Sequence, residues 1–190
     1  MLVVCHSLSG QTINVPLAPL NINLKNINKT DSLGKKTGYW CDTSDDFICF
    51  DFYENGKKNG ISIIYNRKSQ NPYGLIACGY HINDIPAYQW MFFYNYNNTI
   101  SSVVTNISEN TDFIKEAQNT WLSKYEPLMQ AYTICYDDNG NIDSEGWFIF
   151  PAHGDMEIDF EDVGEWKYYT PEGVKTKDFS SLIFNGKNLK

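Results

Sequence analysis

A chain of 190 residues is long enough to bury a core as one domain, or as one domain with an appendage. Its aromatic fraction of 15%, with 13 tyrosines and 11 phenylalanines, favours strands and argues against disorder over most of its length. With 15 basic against 23 acidic residues the formal net charge is −8, and Arg67 is the one arginine, so nucleic acid and anionic lipid are poor partners.

Met1-Leu2-Val3-Val4-Cys5-His6-Ser7-Leu8-Ser9-Gly10-Gln11 resembles the tail of a secretory signal, a short apolar run followed by small residues, without a basic start. Residues 1–30 are therefore expected to form an N-terminal arm. Read as the remnant of a leader, the arm implies a periplasmic or secreted protein; read as an ordinary terminus, it implies a cytoplasmic one. Pro16 and Pro19 interrupt any long element, and Ile22, Leu24 and Ile27 make either a short edge strand or a partly ordered arm. No run approaches the length of a membrane-spanning helix. Cys5 aside, Cys41, Cys49, Cys78 and Cys135 allow three disulfide pairings or stand as buried free thiols.

Residues 31–190 are expected to form a single, mainly β domain, an antiparallel meander of hairpins. Gly38–Cys41 and Phe47–Tyr53 read as strands, and Asn55-Gly56 marks a turn that tolerates positive φ. Ile61–Tyr65, Leu75–His81, Tyr88–Tyr96 and Thr99–Asn106 continue the pattern. The period changes at Ser108. Phe113, Ala117, Trp121 and Tyr125 recur at helical spacing with Ile114 and Leu122 beside them, predicting one amphipathic helix over 110–126. Asn110 or Thr111 would cap it, Pro127 would end it, and its aromatic stripe would pack on the sheet. Strands resume at Ala131–Tyr136, Gly146–Phe150, Met156–Phe160 and Trp166–Tyr169, with Phe179–Phe184 as a further candidate.

A short phrase recurs in this β pattern: Gly34-Lys35-Lys36-Thr37-Gly38-Tyr39-Trp40, then Gly56-Lys57-Lys58-Asn59-Gly60, and last Gly164-Glu165-Trp166-Lys167-Tyr168-Tyr169 closed by Pro171-Glu172-Gly173. The second glycines of the first two, Gly38 and Gly60, lie 22 residues apart, a hairpin period. The phrase resembles the bacterial variant of the MORN repeat, over 31–106 and 131–178. That resemblance implies β-hairpins stacked side by side and a scaffold or protein-binding role, with no catalytic motif to transfer. Gly38, Trp40, Gly56, Gly60, Tyr65, Gly164, Trp166, Tyr169 and Gly173 are the expected structural positions, glycines for turns and rings for packing between hairpins. The lysines read as solvated turn residues, because no Ser/Thr and no strand-to-helix context follows them as in a phosphate loop.

Chemistry is sparse. His6, His81 and His153 do not match a compact metal frame, and no metal or cofactor is expected. Cys78 and His81 lie three apart, on opposite faces of a regular strand, which opposes a Cys–His pair. Asp137-Asp138-Asn139-Gly140 reads as a hairpin turn, lacking the terminal glutamate of a calcium loop. Asp155, Glu157, Asp159, Glu161 and Asp162 form an acidic run, in which Glu157, Asp159 and Glu161 mark a candidate surface for a basic protein. The leading expectation is a non-enzymatic interaction protein using an exposed aromatic sheet face or this acidic run. Carbohydrate or peptide binding is the alternative, and a hydrolytic enzyme comes third, since no catalytic residues converge in the sequence.

Overall fold

Runs of alternating strand residues separated by tight turns leave each strand its sequence neighbour as the nearest partner. The computed structural model describes residues 3–6, 12–15, 27–66, 74–94, 96–97, 99–118, 120–153 and 159–179. Strand β1 (Val3–His6) pairs antiparallel with β2 (Thr12–Val15). The next eleven strands follow chain order in one sheet. They are β3 (Lys29–Thr30), β4 (Lys36–Thr43), β5 (Phe47–Glu54), β6 (Lys57–Asn66), β7 (Leu75–Ile82) and β8 (Ile85–Phe93), then β9 (Ile100–Glu109), β10 (Leu128–Tyr136), β11 (Ile142–Pro151), β12 (Glu161–Thr170) and β13 (Gly173–Asp178).

This is the antiparallel meander expected, with differences of detail. β13 reads Gly-Val-Lys-Thr-Lys-Asp and is exposed throughout, so no alternation of polarity marks it. β12 starts at Glu161, and Asp159–Phe160 lie outside any strand; the rest of the expected strand at 156–160 falls outside the described residues. So do Ile22, Leu24 and residues 180–184.

The turns explain the register. Asn55 and Gly56 both take positive φ, 53° and 84°, the mirror-image turn that suits the twist of a hairpin. Asn83 and Asp84 repeat it without glycine, at 52° and 72°, using the tolerance of Asn and Asp for that region. Each turn is tied to the phrase before it: Gly56 N–H donates to the Lys36 carbonyl and Asp84 N–H to the Lys58 carbonyl, both at 2.9 Å. Lys36 and Lys58 hold the same place in their two phrases.

The chain divides into two compact units. The first takes the described part of 1–103 with Tyr136–Asn141, the second Val104–Cys135 with the described part of 142–190. In the first unit Cys41, Phe50, Ile63, Cys78 and Met91 stand opposite one another across five strands. Ile63, Leu75, Cys78 and Phe93 form the core on that face, with Phe50, Tyr65, Met91 and Ile100 packed against it. In the second unit Ala117, Leu122, Ile149 and Val163 are the core, bordered by Phe113, Leu128 and Trp147.

One packing device occurs in both units. Gly79 in β7 and Gly146 in β11 each sit at a register shift, with a tryptophan from the next strand lying over them. A Cβ on Gly79 would fall 2.1 Å from the Trp90 ring, and one on Gly146 2.3 Å from the Trp166 ring. The indole N–H then donates to the carbonyl just after each glycine, Trp90 to Tyr80 at 3.0 Å and Trp166 to Trp147 at 2.7 Å. Each indole also stacks on the ring two residues further on, Phe92 or Tyr168.

The single helix expected over 110–126 is broken. Helix α1 spans Ile114–Gln118, and a separate 3-10 turn spans Trp121–Lys124. Asn110 does cap the segment, its Oδ1 accepting from Phe113 N–H at 3.1 Å. Thr120 interrupts it: its hydroxyl donates to the Ala117 carbonyl and accepts from Leu122 N–H, so the chain restarts as a new turn. The restart shifts the phase. Leu122 takes the buried place, while Trp121 and Tyr125, expected in the core, are 43% and 40% exposed.

Candidate functional site

In the first unit Asp51, Ser62 and His81 are buried beside the partly exposed Lys58 and Asp84. Asp51 is 3% exposed, with Lys58 Nζ 2.9 Å from its Oδ2 and the Ser62 hydroxyl donating to its Oδ1. Asp84 Oδ1 accepts from Lys58 N–H at 2.7 Å, fixing the lysine's strand. Burial alone would lower the Lys58 ammonium, but the Asp51 charge and hydrogen bond hold it above its ordinary value. His81 stands edge-on to Trp90 with its Nδ1 buried and without a hydrogen-bond partner. Burial, then the Lys58 charge, push its pKa down to about 4, so it is neutral. Ser62 gives its proton to a carboxylate already paired with lysine, and its near-complete burial leaves no place for a substrate. Cys78 belongs to the Ile63 core on the other face. The cluster fixes the hairpins.

The repeat positions are packing and turn residues too. Gly38 lies opposite Tyr53 at a φ of 70°, and Trp40 donates through its indole to the Lys29 carbonyl at 3.0 Å. Lys36 Nζ sits 4.4 Å from the Trp40 ring centroid and 4.7 Å from that of Tyr53, and 3.0 Å from Asp42. Lys36 and Lys58 are thus not solvated turn residues: the Lys36 and Lys58 carbonyls tie the hairpins while their ammonium groups pair with rings and carboxylates. A Cβ on Gly60 would come 2.8 Å from Phe52 Cβ, and Tyr65 meets Phe50 edge-on. Gly164, at a φ of 64°, lies under the Phe113 ring and accepts from Phe179 N–H. Tyr169 donates to Glu145, which also holds Lys167 at 3.0 Å; the Lys167 hydrogen bond holds the Glu145 carboxyl below its usual range. Gly173, at a φ of 125°, opens β13.

Of the acidic run, Glu157 lies outside the described residues, Asp159 precedes β12, and Glu161 opens it opposite Ile149. Asp162, beside Glu161, has one oxygen buried without a hydrogen-bond partner, and burial raises its pKa to about 6. Asp137 spends its Oδ1 on the N–H groups of Asn139 and Asn141, which closes the hairpin turn. Among the described residues no three His, Cys, Asp or Glu side chains cluster to hold a metal, and no helix is long and apolar enough to cross a membrane. Cys41, Cys49, Cys78 and Cys135 are free thiols.

Concavity occurs in the second unit, where the helix breaks. A cleft of about 500 Å³ lies between the end of β9, helix α1 and the segment that leads into β10. Glu109, Asn110, Ile114, Ala117, Gln118, Ser123, Tyr125, Glu126, Pro127 and Leu128 line it. Gln130, itself buried, holds the link between the lining residues Asn110 and Ile114: its Oε1 accepts from the N–H groups of Thr111 and Asp112, and its Nε2 donates to Asp112. Ile114 is 51% exposed at the cleft, and Tyr125 shows its ring there.

No known family model, curated protein or solved structure matches the chain. Of the cleft residues, Ile114, Ala117 and Tyr125 belong to the stripe that the helical spacing assigns to the core. Thr120 followed by Trp121-Leu122 and then Pro127 was the available signal, a hydroxyl that competes with the helix shortly before a proline.

Proposed function

We propose that this chain is a non-enzymatic protein-interaction module built on degenerate MORN-like hairpins, and that it docks a segment of a partner protein in the cleft at 109–128. One observation carries the reading. The buried Asp51 carboxylate is neutralised by Lys58 and the Ser62 hydroxyl, and Ser62 and His81 are buried, whereas Ile114 and Tyr125 stay exposed at a concave site. A cleft of this size, part apolar and part polar, suits a few side chains of an incoming segment. The MORN-like assignment is supported by the matched ties of Gly56 to Lys36 and of Asp84 to Lys58.

Glycan binding has weaker support. Trp121 and Tyr125 cross at 89° and the exposed Tyr88 meets the half-buried Tyr80 at 64°; Tyr96 lies nearer parallel to Tyr94, at 34°, while the stacked pairs Trp90–Phe92 and Phe148–Phe150 are buried.

The test is selection from displayed random 12-residue peptides on the immobilised full chain, with counter-selection on an Ile114→Asp/Tyr125→Ala variant. Peptide families that bind the parent and lose the variant are expected. Binders indifferent to the variant, or none at all, reject the cleft as the docking site.

A further inference from the structure

We propose that the cleft receives a basic side chain, an arginine or lysine flanked by apolar residues in the partner segment, and that Lys124 holds its place in the free protein. This rests on the reading of the cleft as a docking site. Both charged residues that line it, Glu109 and Glu126, are carboxylates, in a chain whose formal net charge is −8. Their field steers and favours a cation.

Tyr125, which lines the cleft, supplies the second element, with Trp121 and Lys124 beside it outside the lining. Tyr125 meets Trp121 edge to face with ring centroids 5.8 Å apart. The Lys124 ammonium lies 5.0 Å from the Tyr125 centroid and 5.9 Å from that of Trp121, within cation–π reach of both. The chain therefore already places a cation of its own against these rings. Its hold is weak, because both rings are exposed. An incoming cation can replace it and gain what Lys124 lacks: the cleft carboxylates, and the apolar surface of Ile114 and Pro127 for the methylene stem. Arginine suits the site better than lysine, being planar and less strongly hydrated.

The experiment uses the displayed 12-residue peptides and, for the best of them, calorimetric titration of the full chain. Selected sequences are expected to carry arginine or lysine next to an apolar residue. Replacing that arginine with citrulline, or that lysine with norleucine, should weaken binding about tenfold or more, a readout that needs no protein variant. Glu109→Gln/Glu126→Gln should weaken binding and flatten its salt dependence. Lys124→Ala should tighten it about two- to fivefold, the worth of one exposed cation–π contact. Near-UV circular dichroism checks that each variant keeps its aromatic packing. Neutral or acidic peptides that still require Tyr125 would discard the basic occupant and keep the docking site. Peptides that ignore the cleft variants, or an empty selection, would discard both. A Lys124→Ala variant with unchanged or weaker binding would remove the placeholder role.

Discussion

His81 and Asp162 carry opposite instructions about acid. Unfolded, a histidine titrates near 6.5; in the fold His81 is pushed down to about 4 by burial and by the Lys58 charge. Between those values the unfolded chain takes up a proton that the fold refuses. The His81 contribution to the first unit is therefore whole above pH 6.5 and is lost as pH falls to about 4, by about 3 kcal/mol. Asp162 runs the other way. Burial, with Glu161 adding and Lys177 opposing, raises it from 3.8 to about 6, so the folded second unit holds a proton that the unfolded chain releases. Its contribution grows as pH falls through that window. Hydrogen exchange, corrected for intrinsic rates and compared at pH 7 and 4.5, should show protection falling over β5–β8 while β11–β12 gain. His81→Gln should flatten the first response and Asp162→Asn the second. A shared sign in both units would refute the assignment.

The elements show why some of this fold was legible and some was not. Turns such as Asn55-Gly56 announce themselves, because few residues accept their positive φ. The indole-over-glycine pairs do not, since Gly79 lies 11 residues from Trp90 and Gly146 lies 20 from Trp166, and the register shifts that align them depend on the paired strand. Gly79→Ala and Gly146→Ala should each cost about 1–3 kcal/mol in chemical denaturation, because the indole must move from its site and lose its hydrogen bond. An unchanged midpoint in either variant would show that the ring moves freely.

The helix was misjudged over 110–126 for a similar reason. Period alone places Trp121 inside, but the Thr120 hydroxyl bonds to two backbone groups and resets the phase. Gln130 looks like an ordinary polar strand residue and instead holds the link between Asn110 and Ile114. Gln130→Ala should cost about 1 kcal/mol by removing the acceptor of the Thr111 and Asp112 N–H groups, and should speed amide exchange over 110–113. Retained protection there would remove Gln130 from that role.

At the scale of the molecule, the meander was legible because neighbouring strands in sequence are neighbours in the sheet, and alternation shows which residues share a face. The proposed docking site was not. Ile114, Ala117 and Tyr125 look like part of a core stripe until the helix breaks, and the acidic run that stands out by composition has two members, Glu161 and Asp162, in a strand between two others. Among the described residues the sheet ends at β13, where Lys175 and Lys177 put charge on an exposed edge strand and discourage pairing with further strands. The cleft proposed for a partner is concave and carries two carboxylates, Glu109 and Glu126.

Hydrogen exchange of the full chain with and without a saturating selected peptide tests this most directly. Slowed exchange is expected in residues 109–128, with little change over β4–β8 of the first unit. Slowed exchange confined to β4–β8, with 109–128 untouched, would contradict it.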